Sequence, residues 1–402
     1  MPSSMPSSPN SRSPLSLRLT GAHVLRDGEM QARSVSLEDG VISKGALPEV
    51  DLTGYLILPG IIDLHGDAFE RHIAPRPTAP FPIATGLAGT DRDAAANGVT
   101  TAYLAQSWSW EGGLRGPDYA SDLLAGLDAY LPHALIDLRA QIRCETHTVD
   151  TKERLLAVVQ KHRVGYVVFN NHLDEAVMLA EKRPADIAIW ARKAGRTPED
   201  HMALVHATMA QKPRVPRYLC RLAEEFDRMG VVYGSHDDPD ANTREHFSMI
   251  GAKICEFPTS VAAAEAARAV GDPVLMGAPN VVRGGSQAGN VSAQHLVRLQ
   301  RCNALVSDYY YPALSQAAFR LVDEGIMTLP AAWDMISRNP ADILRLTDRG
   351  RIDAGRRADL TVIHAETRVV EATFSAGRLA YLGGEAAARF LRVAGQVVAS
   401  AA

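Results

Sequence analysis

Five segments, far apart in the chain, place residues able to bind a metal or move a proton directly after an apolar run: His65-Gly66-Asp67, Glu145-Thr146-His147, Asn170-Asn171-His172, His236-Asp237-Asp238 and Asp308. Imidazole nitrogen combined with carboxylate oxygen suits zinc, manganese, iron or cobalt, with zinc placed first. Residues two apart on a strand share a face, so His65 and Asp67 are expected to address one ion. His65, Asp67, Glu145, His172, His236 and Asp308 together exceed what one ion with an open water position needs. Two divalent ions are therefore expected, with Glu145 as the bridge. A lone histidine at a strand end is usually a satisfied polar residue; the agreement of separate strand ends is what argues for ligands. His147 is as readily a neighbour of Glu145 as a ligand itself. Asp237 and Asp238 either orient His236 or form a solvated acidic turn.

The elements that must hold these residues are legible as well. Apolar runs at Gly60 to Leu64, Thr100 to Leu104, Arg139 to Cys144, Val164 to Phe169, Val231 to Ser235, Ile254 to Phe257, Val274 to Gly277 and Leu305 to Ser307 alternate with stretches of helical spacing such as TKERLLAVVQKH. That alternation predicts an α/β fold of the (β/α)8 TIM-like barrel type, whose chemistry sits at the C-terminal ends of its strands. The two ends of the chain differ from the middle. Residues 15–57 alternate apolar and polar positions around the turn signals Asp27-Gly28 and Asp39-Gly40, and residues 348–402 have the same texture. Both ends are expected to share one small β-sandwich domain flanking a barrel over 58–347, with residues 1–14, rich in Ser and Pro, as a disordered tail.

The chain has 402 residues, 46% apolar and 22% charged, so it can bury a large core. A formal net charge of -4 argues against a general nucleic-acid surface, and any anionic ligand must be met by a local pocket. Cys144, Cys220, Cys255 and Cys302 form no CxxC pair, which suggests a reducing, cytoplasmic setting. No secretory leader or membrane span is expected. A small molecule is the expected partner, with room for a homodimer.

LPGIIDLH at the first barrel strand and GRIDAGRRADL at the return to the β domain resemble the amidohydrolase superfamily. The resemblance implies a metal-dependent hydrolase over nearly the whole chain after the tail. One departure is informative: most members carry His-x-His at the first strand, where this chain has His65-Gly66-Asp67, and the family's common bridging lysine is replaced by Glu145. HGDAFERHIAPRP, RCETH, GSHDDP, EFPTSVAAA, MGAPNVVRGGSQAGN and LVSDYYYP, in that order, are similar to one branch, the diphosphatases of the carbon-phosphorus lyase pathway. That branch removes diphosphate from alpha-D-ribose 1-methylphosphonate 5-triphosphate in phosphonate degradation, which implies a water attacking a phosphorus of the triphosphate, with Asp308 as proton acceptor as well as ligand.

A triphosphate needs donors. Arg283 offers a planar fork, Gly284 and Gly285 could turn successive N–H groups toward one anion, and Ser286 follows them. Arg71 and Arg76 follow the first candidate ligands and should lie near the same mouth. A plain Gly-rich turn from strand to helix would look the same. His72 could contact phosphate or sit on the surface, Trp108 and Trp110 could line a sugar pocket or simply pack, and Lys253 precedes a strand and belongs at the opposite face. Two rivals share the composition: another amidohydrolase reaction on a cyclic amide or as a nucleobase deaminase, and a non-catalytic scaffold of a pathway assembly.

Overall fold

The computed structural model describes residues 13–76, 79–286 and 289–401. At its centre, eight parallel strands follow one another in chain order: β1 (Ile61–Gly66), β2 (Val99–Trp108), β3 (Asp137–Glu145), β4 (Tyr166–Asn170), β5 (Val232–His236), β6 (Ile254–Glu256), β7 (Val274–Gly277) and β8 (Ala304–Val306). All coincide with the apolar runs of the sequence, with β2 and β3 longer than those runs. β1 and β8 close the ring. At the C-terminal end, Asp308 N–H donates to the His65 carbonyl at 3.0 Å and Asp67 N–H to the Asp308 carbonyl at 2.7 Å. At the other end Met335 and Ile336 lie between the two strands, accepting from Leu305 N–H at 3.0 Å and Ile62 N–H at 2.8 Å. Between these points, buried Asp63 accepts from Ser307 N–H at 2.8 Å and Ser307 Oγ at 2.6 Å.

Alternation along the strands separates two apolar layers. Tyr166, Val168, Ile254, Leu275, Ala304 and Val306 fill the barrel interior, plugged by Ala341 and Leu344. Ile142, Cys144, Val167 and Phe169 face outward onto the helix Val215–Met229, whose Leu219, Leu222 and Phe226 recur at helical spacing. Each large side chain buried this way contributes roughly 1.5–3 kcal/mol. Because the apolar positions occupy the lower barrel, the inward positions left at the strand tops are polar.

The terminal segments form a sandwich of two sheets with one shared core that includes Leu19, Leu37, Val24, Ile57, Leu360 and Phe374. Its turns follow the sequence closely: Asp27 and Gly28 (φ 53° and 78°) join His23–Arg26 to Glu29–Ala32, and Asp39 and Gly40 (φ 51° and 81°) join Val35–Glu38 to Val41–Ser43. Two consecutive positive φ values are what a two-residue hairpin of this twist requires. Two corrections apply. Tyr55–Pro59 pairs with Leu360–His364, so Leu58 and Pro59 belong to the sandwich and the barrel starts after them. The chain also ends in a helix, Gly384–Ala401, which seats Ala386, Phe390 and Val393 on the sandwich core. Of the expected tail, residues 1–12 lie outside the described residues.

Candidate active site

Glu256, at the top of β6, is the hub of the deepest group. Its Oε2 accepts from His65 Nδ1 at 2.9 Å and His236 Nδ1 at 3.0 Å. Its Oε1 accepts from Gln141 Nε2 at 2.7 Å and Tyr166 Oη at 2.5 Å. Four donors saturate the carboxylate, and fixing both Nδ1–H groups leaves Nε2 as the coordinating nitrogen of each ring. Burial would raise the Glu256 carboxyl, but the two histidines hold it well below the ordinary range. Burial pulls the His65 imidazole down and Glu256 more than reverses it, whereas burial leaves His236 below its ordinary value despite Asp237.

A second group stands at the tops of β2, β3 and β4. Glu145 accepts from His172 Nδ1 at 2.5 Å and from His172 N–H at 3.1 Å, and Glu111 lies 3.8 Å from the same Nδ1. Burial would raise Glu145, yet His172 and Arg143 hold it low, while burial of His172 is outweighed by the pull of Glu145 upward. Trp110 Nε1 donates to Glu145 at 3.3 Å and Trp190 Nε1 donates to Glu111. Trp190 comes from a three-helix excursion after β4, Leu173–Lys182, Pro184–Lys193 and Pro198–Met209, which also sends Arg196 to the Glu111 carbonyl.

Imidazole and carboxylate donors of these kinds suit a divalent cation, with Glu256, already saturated, orienting its two histidines instead of coordinating. Within each triad, His65, His236 and Glu256 or Glu111, Glu145 and His172, one ligand atom per residue lies within 4.8 Å of the others. Glu145 and Glu111 are two buried carboxylates beside one imidazole, with Arg115 3.3 Å from Glu111 balancing part of their charge. Asp67 and Asp308 complete the mouth. β1 stops at Gly66, so Asp67 is not carried to the face of His65 by strand alternation; its carboxylate lies 4.0 Å from Arg143 Nη1. Burial and the nearby Asp67 push the Asp308 carboxyl up to about 6. His147 bonds Thr146 Oγ1 at 2.9 Å and belongs to neither triad. Asp237 lies 3.4 Å from His236 Nε2, and Asp238 is tied behind the strand to Ser235 and Arg244.

Among the expected anion donors, Arg71 and Arg283 converge on one residue. Arg71 donates to the Tyr309 carbonyl, and Arg283 Nη1 donates to Tyr309 Oη at 3.3 Å. Tyr309 directly follows Asp308, so both guanidinium groups border the mouth. Arg76 is exposed after the same first-strand loop. The glycines need a correction. Gly284 N–H bonds the Val281 carbonyl at 3.1 Å and Gly285 N–H the Asn280 carbonyl at 2.9 Å, so these donors finish the helix Ala278–Arg283, with Gly284 at φ 81°, instead of facing an anion together. Ser286 continues the loop beyond them. His72 bonds Asp93 at 3.2 Å, and Trp108 is buried with its Nε1 on Thr151 at 2.9 Å. Of the tryptophans considered, Trp110 is the one placed at the site.

Four residues of the site escape the strand-end pattern: Glu111, Gln141, Arg143 and Glu256. Gln141, Arg143 and Glu145 alternate along β3, so a polar residue at every second position of a barrel strand was the available signal. For Glu256 the signal was a carboxylate inside the apolar run ICEF. Glu111 lies in the loop WEGG, and nothing in its spacing marks it.

No protein-family model matches the chain. It is 31% identical over 366 residues, 86% of its length and 94% of the relative's, to the alpha-D-ribose 1-methylphosphonate 5-triphosphate diphosphatase of Escherichia coli strain K12. Solved structures with the same fold include dihydropyrimidinase from Brevibacillus agri, with a TM-score of 0.60 at 11% identity over 92% of this chain and 95% of that one. N-acetylglucosamine-6-phosphate deacetylase from Pasteurella multocida gives 0.60 at 12% identity over 91% and 99%. The barrel with its terminal sandwich is thus the fold of these enzymes, and by its identity to the Escherichia coli enzyme the chain belongs to the alpha-D-ribose 1-methylphosphonate 5-triphosphate diphosphatase family of hydrolases.

Proposed function

We propose that this hydrolase releases diphosphate from alpha-D-ribose 1-methylphosphonate 5-triphosphate, leaving the 5-phospho-ribosyl methylphosphonate. The observation that carries the reading is the meeting of Arg71 and Arg283 on Tyr309, beside Asp308. Two guanidinium groups at the rim of a site with an elevated carboxyl suit a polyphosphate; a neutral cyclic amide has no use for them.

In this reading His65, Asp67, His236 and Asp308 hold one divalent cation and Glu145, His172 and Glu111 a second, zinc first, then manganese, iron or cobalt. Cations held there supply an acidified water and charge for the phosphoryl oxygens. Glu256 orients His65 and His236. Asp308, which backbone hydrogen bonds hold at the mouth between β1 and β8, accepts the proton of the attacking water. Arg71 and Arg283 hold the departing diphosphate, with Arg76 and Ser286 at the rim and Gly284 and Gly285 shaping the loop. The molecule acts on a small phosphorylated ligand in the cytoplasm; among the described residues no helix is long and apolar enough to cross a membrane.

The discriminating experiment offers the metal-loaded protein the ribosyl triphosphate and a panel of cyclic amides. Diphosphate release with no amide opening supports the reading. Amide opening without diphosphate release refutes it.

A further inference from the structure

Between the two triads stands a residue that neither of them consumes. β3 sends Gln141, Arg143 and Glu145 into the barrel, the first to Glu256 and the last to His172. Arg143, 8% exposed, reaches His236 Nε2 with Nη2 at 3.2 Å, its nearest carboxylate oxygen on Asp67 lies 4.0 Å from Nη1, and its Nε is buried with no hydrogen-bond partner. A guanidinium normally meets a carboxylate through two short parallel bonds. Leaving one buried and incompletely paired costs stability, so a residue kept in this state is held for something other than the fold. Its charge acts on His65, Glu145, His172, His236 and Asp308 at once, which places it at the centre of the group.

Its contact with His236 adds a constraint. Nε2 is the nitrogen that Glu256 leaves available for coordination, and Arg143 covers it. A cation binding His236 must displace the guanidinium, which is then freed within the mouth with five donors, its nearest carboxylate, Asp67, being itself a candidate ligand.

We infer that Arg143 is a catalytic residue: freed from His236 when the site is loaded, it bonds the non-bridging oxygens of the phosphoryl group under attack, a deep counterpart to Arg71 and Arg283 at the rim. The inference rests on the proposed diphosphatase reading. In the step concerned, the water oxygen forms a bond to phosphorus, the bridging P–O bond breaks with its electron pair leaving on diphosphate, and the water proton passes to Asp308. Arg143 gives up no proton; it stabilises charge that is greatest in the transition state.

The test compares wild type, Arg143→Ala and Arg143→Lys. Metal content is read by elemental analysis, and kcat and KM with the ribosyl triphosphate are measured with and without added guanidinium chloride. Arg143→Ala should keep its metal, lose at least about a hundredfold in kcat with a smaller change in KM, and regain about tenfold or more with guanidinium. Arg143→Lys should bind metal as wild type does and recover only part of kcat, since an ammonium lacks the planar fork. Retained kcat in Arg143→Ala, loss of metal from both variants, or no response to guanidinium would each overturn the inference. Failure of the wild type to release diphosphate would instead refute the functional reading itself.

Discussion

His65 and His236 stack with ring centroids 5.1 Å apart and planes 22° apart, and both give Nδ1–H to one oxygen of Glu256. Strand ends far apart in sequence therefore share a single orienting carboxylate. Glu256→Gln keeps the shape but turns a charged double acceptor into an amide that can satisfy the two donors only weakly. Metal affinity measured by competition with a chelator should fall about 10–100-fold while circular dichroism stays unchanged. Unchanged affinity would show that the two rings need no such anchor.

Metal stoichiometry separates the two triads. Elemental analysis should give two ions per chain, and Glu111→Gln should lower that number toward one, because Glu111 belongs only to the group with Glu145 and His172. A single ion in the wild type would remove the second site formed by Glu111, Glu145 and His172.

Asp308 offers a pH signature. In the metal-free protein its carboxyl is raised to about 6, so the neutral form prevails below that value, whereas a ligand must be ionised. Apparent metal affinity should weaken as pH falls through about 6, with proton release on binding in calorimetric titrations run in buffers of different ionisation heat. The sign for the metal-free fold is the opposite: a raised carboxyl favours folding below its unfolded value and loses that contribution as pH rises through about 6. Asp308→Asn should flatten both dependences and lower turnover by at least about a hundredfold.

The rim arginines make a separate claim. Arg283→Ala and Arg71→Ala should leave metal content unchanged and reduce kcat/KM for the triphosphate more than for a simple phosphodiester without distal phosphates. Equal losses on both substrates would assign the arginines to the fold around Tyr309 instead.

The barrel was legible because its strands are buried on both sides and read as short apolar runs, and the hairpins because Asp-Gly pairs announce their turns. The strand-end rule brought out His65, His172 and His236, which the structure groups with carboxylates at the barrel mouth. It passed over Arg143, which stands inside β3, and Glu256, which ends β6 within the apolar run ICEF; both converge on the mouth only once the barrel is closed. It also overread the glycines after Arg283, since a helix C-cap and an anion nest use the same residues and differ only in which carbonyls already hold the N–H groups. The conformation of Asp308 was equally hidden: with φ at 56° it turns out of β8 so that its backbone locks β1 while its carboxylate enters the mouth. Aspartate is among the few non-glycine residues that adopt this region, as Asp27 and Asp39 also do in their hairpin turns.

Phosphorus NMR resolves each phosphorus of the substrate and so reads the proposed cleavage itself. Protein stripped of metal by a chelator and reloaded with zinc is mixed with the ribosyl methylphosphonate triphosphate. The triphosphate resonances should give way to those of diphosphate and a 5-phosphate monoester, only after reloading, with the phosphonate resonance intact. Triphosphate that persists beside fully loaded protein, or a stripped protein that releases diphosphate at the same rate, would contradict the proposed reaction.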